Sequence, residues 1–303
     1  MALNLLLVSL LSMAACTPPS GQKPVALTQT NEQGCTRQRS VGPQDAFADP
    51  APVKQACVGP YLLALPQNYF DNQTGTEHDG SFGLALEYPS LEPFKPGERM
   101  HLTADVLTRT VSVDFIYIDR IDVRQSLRNA YLPMDHERDD PAETLDARIQ
   151  GQPVYGLTPY YADLARIRDY DIGRGAAPRQ PAMKSSWYED WFVTRDTRGE
   201  IDRIIKCTSR NTVESGVEYR DGKMVKSRVR ELPECDHFLI IPERSTRLRI
   251  NYVREAMKDW RAIEDRARAL FLQGISNRKS TPGQAAGGAG LPAAGVARRN
   301  AAR

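Results

Sequence analysis

The spacing of apolar and polar positions changes three times along the chain. Residues 1–15 carry no charged side chain and run Leu3, Leu5, Leu6, Leu7, Val8, Leu10 and Leu11 toward Ser12, Met13, Ala14 and Ala15. A polar, proline-dotted stretch follows, and then short apolar or alternating runs at 61–65, 82–88, 100–106 and 111–118, closed by Pro66, Pro89 and the Lys95-Pro96-Gly97 turn. Such runs predict strands. Val111, Val113, Phe115 and Tyr117 alternate with Ser112, Asp114 and Ile116, so one face is core and the other is partly wet. Residues 122–132 predict a short helix, 135–143 a charged loop, and 153–161, rich in tyrosine and breakers, an irregular connection across a sheet edge.

Further on, Trp187, Glu189, Trp191 and Val193 alternate with Tyr188, Asp190, Phe192 and Thr194, and a turn at 197–200 leads into 201–208. This predicts a hairpin. Asp221-Gly222 predicts a second, with arms at 217–220 and 223–229, because both central residues of a type I′ turn need positive φ. Residues 238–241 and 247–252 predict two more strands around Pro242-Glu243-Arg244-Ser245. The period then lengthens to that of a helix. Val253, Ala256, Met257, Trp260, Ile263, Ala267, Leu270 and Phe271 form one stripe, with Glu255, Lys258, Asp259, Arg261, Glu264 and Arg268 expected to face out and Gly274 to stop the helix. The expected fold class is α+β: antiparallel sheet with a C-terminal amphipathic helix packed on it.

Composition divides the chain. Residues 1–15 form an apolar run of about a dozen positions, too short for the roughly 20 that a membrane-spanning helix needs, and are expected to be a signal peptide. Residues 16–56 have few apolar side chains and are expected to be a flexible tether; 57–185 form a β-rich N-terminal part; 186–275 hold the hairpins and the helix. Residues 276–303 are Gly, Ala and Pro with Arg278, Lys279, Arg298, Arg299 and Arg303 and no acid, and are expected to be a disordered basic tail. The net charge of the whole chain is +2, so the remainder is mildly acidic, which argues against a nucleic-acid surface.

Met13-Ala14-Ala15-Cys16 resembles the lipobox of bacterial lipoproteins. That resemblance implies cleavage before Cys16, a lipid on its thiol, and, with Thr17 next instead of Asp, sorting to the outer membrane with the folded part on the periplasmic face. Cys35, Cys57, Cys207 and Cys235 then remain, an even number in a compartment where disulfides persist. Four cysteines allow three pairings; sequence order favours Cys35 with Cys57 and Cys207 with Cys235. No Cys-x-x-Cys pair points to zinc, and no metal or cofactor is expected.

The chain lacks Gly-x-Ser-x-Gly, Ser-x-x-Lys with its partners, His-Glu-x-x-His, a Walker loop and Gly-x-Gly-x-x-Gly. The densest polar constellation is Asp135, His136, Glu137, Asp139 and Asp140, a candidate binding loop. His78 beside Asp79 and His237 beside Asp236 have the residue types of acid–base pairs, without a nearby nucleophile. Lipid signal, tether, β-rich body, cysteine-linked hairpins and closing helix together resemble the immunity lipoproteins that neutralise antibacterial effectors of secretion systems. This resemblance implies a non-enzymatic protein that binds a protein partner. A hydrolase of envelope polymers and a structural or assembly lipoprotein of the envelope are the alternatives.

Overall fold

The computed structural model describes residues 26–211, 215–228 and 231–276. The expected signal peptide, Cys16 and nearly all of the expected tail lie outside them. In chain order the strands are β1 (Thr28–Thr30), β2 (Thr36–Gln38), β3 (Val53–Val58), β4 (Tyr61–Pro66), β5 (Leu84–Glu87), β6 (Glu92–Pro93), β7 (Thr110–Tyr117), β8 (Ile149–Gln150), β9 (Thr158–Tyr161), β10 (Asp190–Arg195), β11 (Ile201–Cys207), β12 (Val217–Arg220), β13 (Lys223–Lys226), β14 (Glu234–Ile241), β15 (Thr246–Val253) and β16 (Ile275–Ser276). The α-helices are α1 (Ala104–Thr108), α2 (Val123–Arg128), α3 (Leu164–Gly173) and α4 (Trp260–Gly274).

Nine strands make one antiparallel sheet in the order β6-β5-β7-β15-β14-β11-β10-β9-β8. Its edges are two-residue strands, one containing Pro93, which offer a second chain little to pair with. The alternation read in the sequence sets the faces. Val111 and Val113, Leu248 and Ile250, Leu239 and Ile241, Ile205 and Phe192 point to one side and are buried there under α4 and a smaller sheet, β16-β4-β3. Trp260, Ile263, Ala267, Leu270 and Phe271 of α4 fill this layer, as the stripe predicts. A further cluster on the opposite face, Val123, Leu127, Tyr131 and Leu145 against Trp191, Val193, Ile204 and Ile240, is closed by α2. Asp122 caps that helix by accepting from the N–H groups of Arg124 and Gln125.

Turn chemistry is as expected where it is demanding. Asp221 and Gly222 both have positive φ between β12 and β13. Gly274 lies so close to β4 that a Cβ there would meet Leu63 Cδ1 at 2.5 Å, so the helix ends where only hydrogen fits.

Several expectations are corrected. Residues 100–106 are not a strand: a 3-10 turn, Glu98–Met100, leads into α1, whose first turn is capped by the Thr103 hydroxyl accepting from Val106 N–H. Apolar Met100 and Leu102 are left exposed, so their run never had a sheet to join. The stretch at 153–161 is more regular than expected, since β9 pairs with β10 and carries β8 at the sheet edge. Part of the expected tether is folded: β1 and β2 form a hairpin and β3 pairs with β4. Apolar burial holds β3, whose Ala56 joins the core, but it is not what holds the β1-β2 hairpin. Cys35 is bonded to Cys57, and the buried Arg37 guanidinium donates to Thr76, Gln29 and the Glu77 carbonyl. The second disulfide joins Cys207 and Cys235, directly opposed on neighbouring β11 and β14, so both pairs are those that sequence order favours.

Candidate functional site

The sheet's second face is not uniformly covered. Beside the α2 cluster, a polar row crosses it in register: Ser112 of β7 opposite Asn251 of β15, Asn251 opposite Asp236 of β14, Asp236 opposite Lys206 of β11, and Lys206 opposite Trp191 of β10. The row floors an open groove of about 570 Å³, walled by Leu107, Met183, Glu231 and Leu232 and bordered by Glu189 and Glu234.

Of the groove's carboxylates, Asp236 pairs with Arg249 and Glu231 with Lys184, while Glu189 and Glu234 have no ion-pair partner within 4.0 Å among the described residues. Trp191 is buried, and two cations lie on its indole, Arg148 at 3.9 Å and Lys206 at 4.0 Å from the ring centroid. Arg148 donates to three backbone carbonyls, those of Ala142, Trp187 and Glu189, and burial pulls its guanidinium down to about 10. Burial also lowers the Lys206 ammonium. The same desolvation pushes the Glu189 carboxyl up to about 7 against the attraction of Lys206, and raises Glu143 and Glu234, with repulsion from Glu137 and Asp236 adding respectively. Perturbed groups gathered in one cleft are a common mark of a working surface.

A test of this electrostatic picture follows from proton linkage. Glu189 has a raised pKa in the fold, so between roughly its ordinary 4.5 and about 7 the folded chain holds more protons than the unfolded one. Stability must therefore fall as pH rises through that window. Glu189→Gln removes the penalty. Urea midpoints of the two forms are expected to diverge from pH 5 to pH 8, the variant gaining on the order of 1–2 kcal/mol after allowance for solvent screening. Parallel curves would refute the assignment.

The loop at 135–140 borders this area, since Glu143 feels both Glu137 and Asp140 as well as Lys206 and Arg148. Asp135 and His136 are exposed on a 3-10 turn and Asp139 is exposed just after it, and the Asp135–Arg138 and His136–Glu137 pairs are local. Asp140 differs: Arg179 ties it, at 3.0 Å, to a bidentate pair with Asp171 of α3. The loop thus has a fixed base and a free tip. Among the described residues, no group of three or more His, Cys, Asp or Glu is placed to hold a metal ion. No helix of those residues is long and apolar enough to cross a membrane.

The two candidate histidines part company with their sequence neighbours. His78 is bound by Arg39 at the surface. His237 is fully buried on the face opposite Asp236 and meets Glu264 of α4 at 3.5 Å, with Tyr252 Oη 3.4 Å from its Nδ1. Glu264, expected to face solvent, is buried and further held by Arg203 at 2.9 Å and Arg268 at 3.0 Å. Burial works against its charge, but His237 and the two arginines outweigh it and hold the carboxyl down to about 2; burial lowers His237. A pattern reading could have found it, because Glu264 sits at helical spacing between Trp260 and Ala267.

The large sheet is thus sealed on one face by α4 and the small sheet, and on the other it carries a charged groove beside the loop at 135–140. In structure the chain is similar to Smlt3025, an immunity protein of the Stenotrophomonas maltophilia type IV secretion system, with a TM-score of 0.64 and 23% sequence identity over 82% of this chain and 99% of that one. No protein-family model matches the chain, and no curated protein is significantly similar to it in sequence.

Proposed function

We propose that this protein is an immunity protein of the periplasm, which binds an antibacterial effector and blocks it, and which lipid on Cys16 holds at the outer membrane. The observation that carries the reading is the fold shared with an immunity protein over nearly the whole of that protein's length. Two disulfides support it, since such bonds fit an oxidising compartment. Binding would use the exposed tip of the loop, Asp135, His136, Glu137 and Asp139, with Asp140 anchoring its base. A loop held at its base has less freedom to lose on association.

The test is a competition assay. Cells deleted for this gene are expected to die beside sister cells that carry an active secretion system, and the wild-type gene is expected to restore survival. Cys16→Ser is expected to leave the membrane fraction. Equal survival with and without the gene would overturn the reading. One observation favours a second reading, an envelope-polymer hydrolase: a carboxyl near 7 is what a general acid requires. Digestion of peptidoglycan by the purified chain, lost on Glu189→Gln, would put that reading in its place.

A further inference from the structure

We infer that the end of the molecule formed by β1 and β2 is a membrane-docking face: a pocket between Arg39 and Lys54 takes the phosphate of an anionic phospholipid headgroup, and exposed apolar side chains around it enter the bilayer surface. The docking rests on the lipid anchor proposed above and adds how the folded part lies against the membrane. The pocket, of about 440 Å³, lies between the segment that follows β2 and the start of β3. Arg39 and Lys54 are the charged residues that line it, and no carboxylate does. Arg39 donates to the His78 ring at 2.7 Å and Lys54 to Gln44 Oε1 at 2.5 Å, but among the described residues neither is in an ion pair. Burial lowers the Lys54 ammonium, with no neighbouring carboxylate to raise it. Acids of the adjoining segments are engaged elsewhere: Asp45 accepts from Phe47 N–H, Glu77 from Asn72, and Asp79 from Ser81 while drawing on Arg37. The complementary occupant is therefore an anion.

The surroundings decide which anion. Leu27, Val41, Phe47 and Val53 are between 42% and 68% exposed. Val41 and Val53 line the pocket, the Leu27 carbonyl accepts from Arg39 N–H at 2.9 Å, and Phe47 follows the lining Gln44 by three residues. Cations set among exposed apolar side chains suit the headgroup layer of a bilayer, where phosphates border the acyl chains. A free phosphate would leave the apolar rim unused. The anchor brings this face to its ligand. Leu27 follows Cys16 by eleven residues, so the chain enters the fold at the pocket's edge and at most about 40 Å from the lipid. A tether running to residue 56 would have given no such proximity, and the hairpin of β1 and β2 is what shortens it.

Vesicle co-sedimentation of the mature chain bearing Cys16→Ser tests the face without the anchor. Binding is expected to vesicles of phosphatidylcholine with about one-third phosphatidylglycerol, to weaken with added salt, and to be absent with phosphatidylcholine alone. Arg39→Gln with Lys54→Gln is expected to weaken it about tenfold. Val41→Ser with Val53→Ser, which alters only exposed apolar positions and so leaves the fold intact, is expected to weaken it severalfold. The basic residues beyond 276 are the same in every form, so equal binding by all three would put the contact on them and overturn the inference. In a nuclear magnetic resonance titration, dihexanoyl phosphatidylglycerol is expected to shift the amides of Arg39, Ser40, Lys54 and Gln55 at lower concentration than inorganic phosphate does. Equal potency of the two, shifts elsewhere, or none would also overturn it. Labelled palmitate reports on the anchor separately: its incorporation at Cys16 without vesicle binding would sink the docking face alone, whereas vesicle binding without incorporation would sink the anchor and leave the pocket standing.

Discussion

Glu264→Ala is expected to destabilise the protein by roughly 3–5 kcal/mol, the range for removing one partner of a buried ion pair. Its carboxylate is the shared acceptor for Arg203 and Arg268 and the sole acidic neighbour of the buried His237 among its close contacts. Truncation leaves Arg268 without a carboxylate, Arg203 with Asp202 alone and the buried His237 without its acidic neighbour. The electrostatics give the same magnitude independently. A carboxyl held at about 2 instead of its ordinary 4.5 corresponds to roughly 3 kcal/mol at neutral pH, and the side chain is too buried for solvent to screen much of it. Because this pKa is depressed, the contribution is complete above about 4.5 and is lost as pH falls toward 2. Urea unfolding should therefore show a wide gap between variant and wild type at pH 7 that narrows by pH 3. Glu264→Gln, which keeps the shape and part of the hydrogen bonding, is expected to cost less. A difference under 1 kcal/mol at pH 7 would mean that the network is incidental to the fold.

That network shows where pattern reading reaches its limit. Alternation located most of the strands of the large sheet, and helical spacing located α4 with its buried stripe, because both signals record which face meets apolar neighbours. Glu264 and His237 share those inward faces, but their polarity marks them as outward until the opposite element is known. The error at 100–106 has a related origin: Leu102, Met100 and their neighbours have the composition of a strand, yet the local hydroxyl cap at Thr103 starts a helical turn and leaves both apolar side chains exposed. Burial did not reveal the hairpin of β1 and β2 either, since a disulfide and one arginine hold it. Helix α3 buries little beyond Ile167 and Asp171, so no apolar stripe announces it.

The candidate site was legible in pieces. The loop at 135–140 stands out as charge in one segment, and Glu189 and Trp191 share an alternation phase, so their common face can be read directly. Nothing local joins them to Lys206, Glu234 and Asp236. That union depends on β14 lying beside β11 and on β7 reaching β15, pairings separated by long stretches of chain. A groove assembled across five strands is a property of register, which is fixed only when the whole sheet closes.

Phe271→Ala is expected to cost roughly 3–5 kcal/mol, at the upper end for a core aromatic, because this ring of α4 touches both the large and the small sheet. It is fully buried near the end of α4. On one side it stacks on Phe115 of β7, centroids 5.2 Å apart and planes 21° from parallel; on another it meets Tyr61 of β4 edge-on at 6.1 Å. Phe115 in turn stacks on Phe82. Removing the ring therefore opens a cavity between helix, large sheet and small sheet at once, and the surrounding strands cannot close on it without leaving their registers. Beyond burial, each aromatic pair adds about 0.5–1.5 kcal/mol that alanine also forfeits. Phe271→Leu keeps most of the volume and is expected to lose under about 1.5 kcal/mol plus the stacking. Chemical denaturation of the two variants measures the difference. Similar midpoints for alanine and leucine would show that the three layers do not meet through this ring, and that α4 is held to the sheets by Trp260 and the charged network instead.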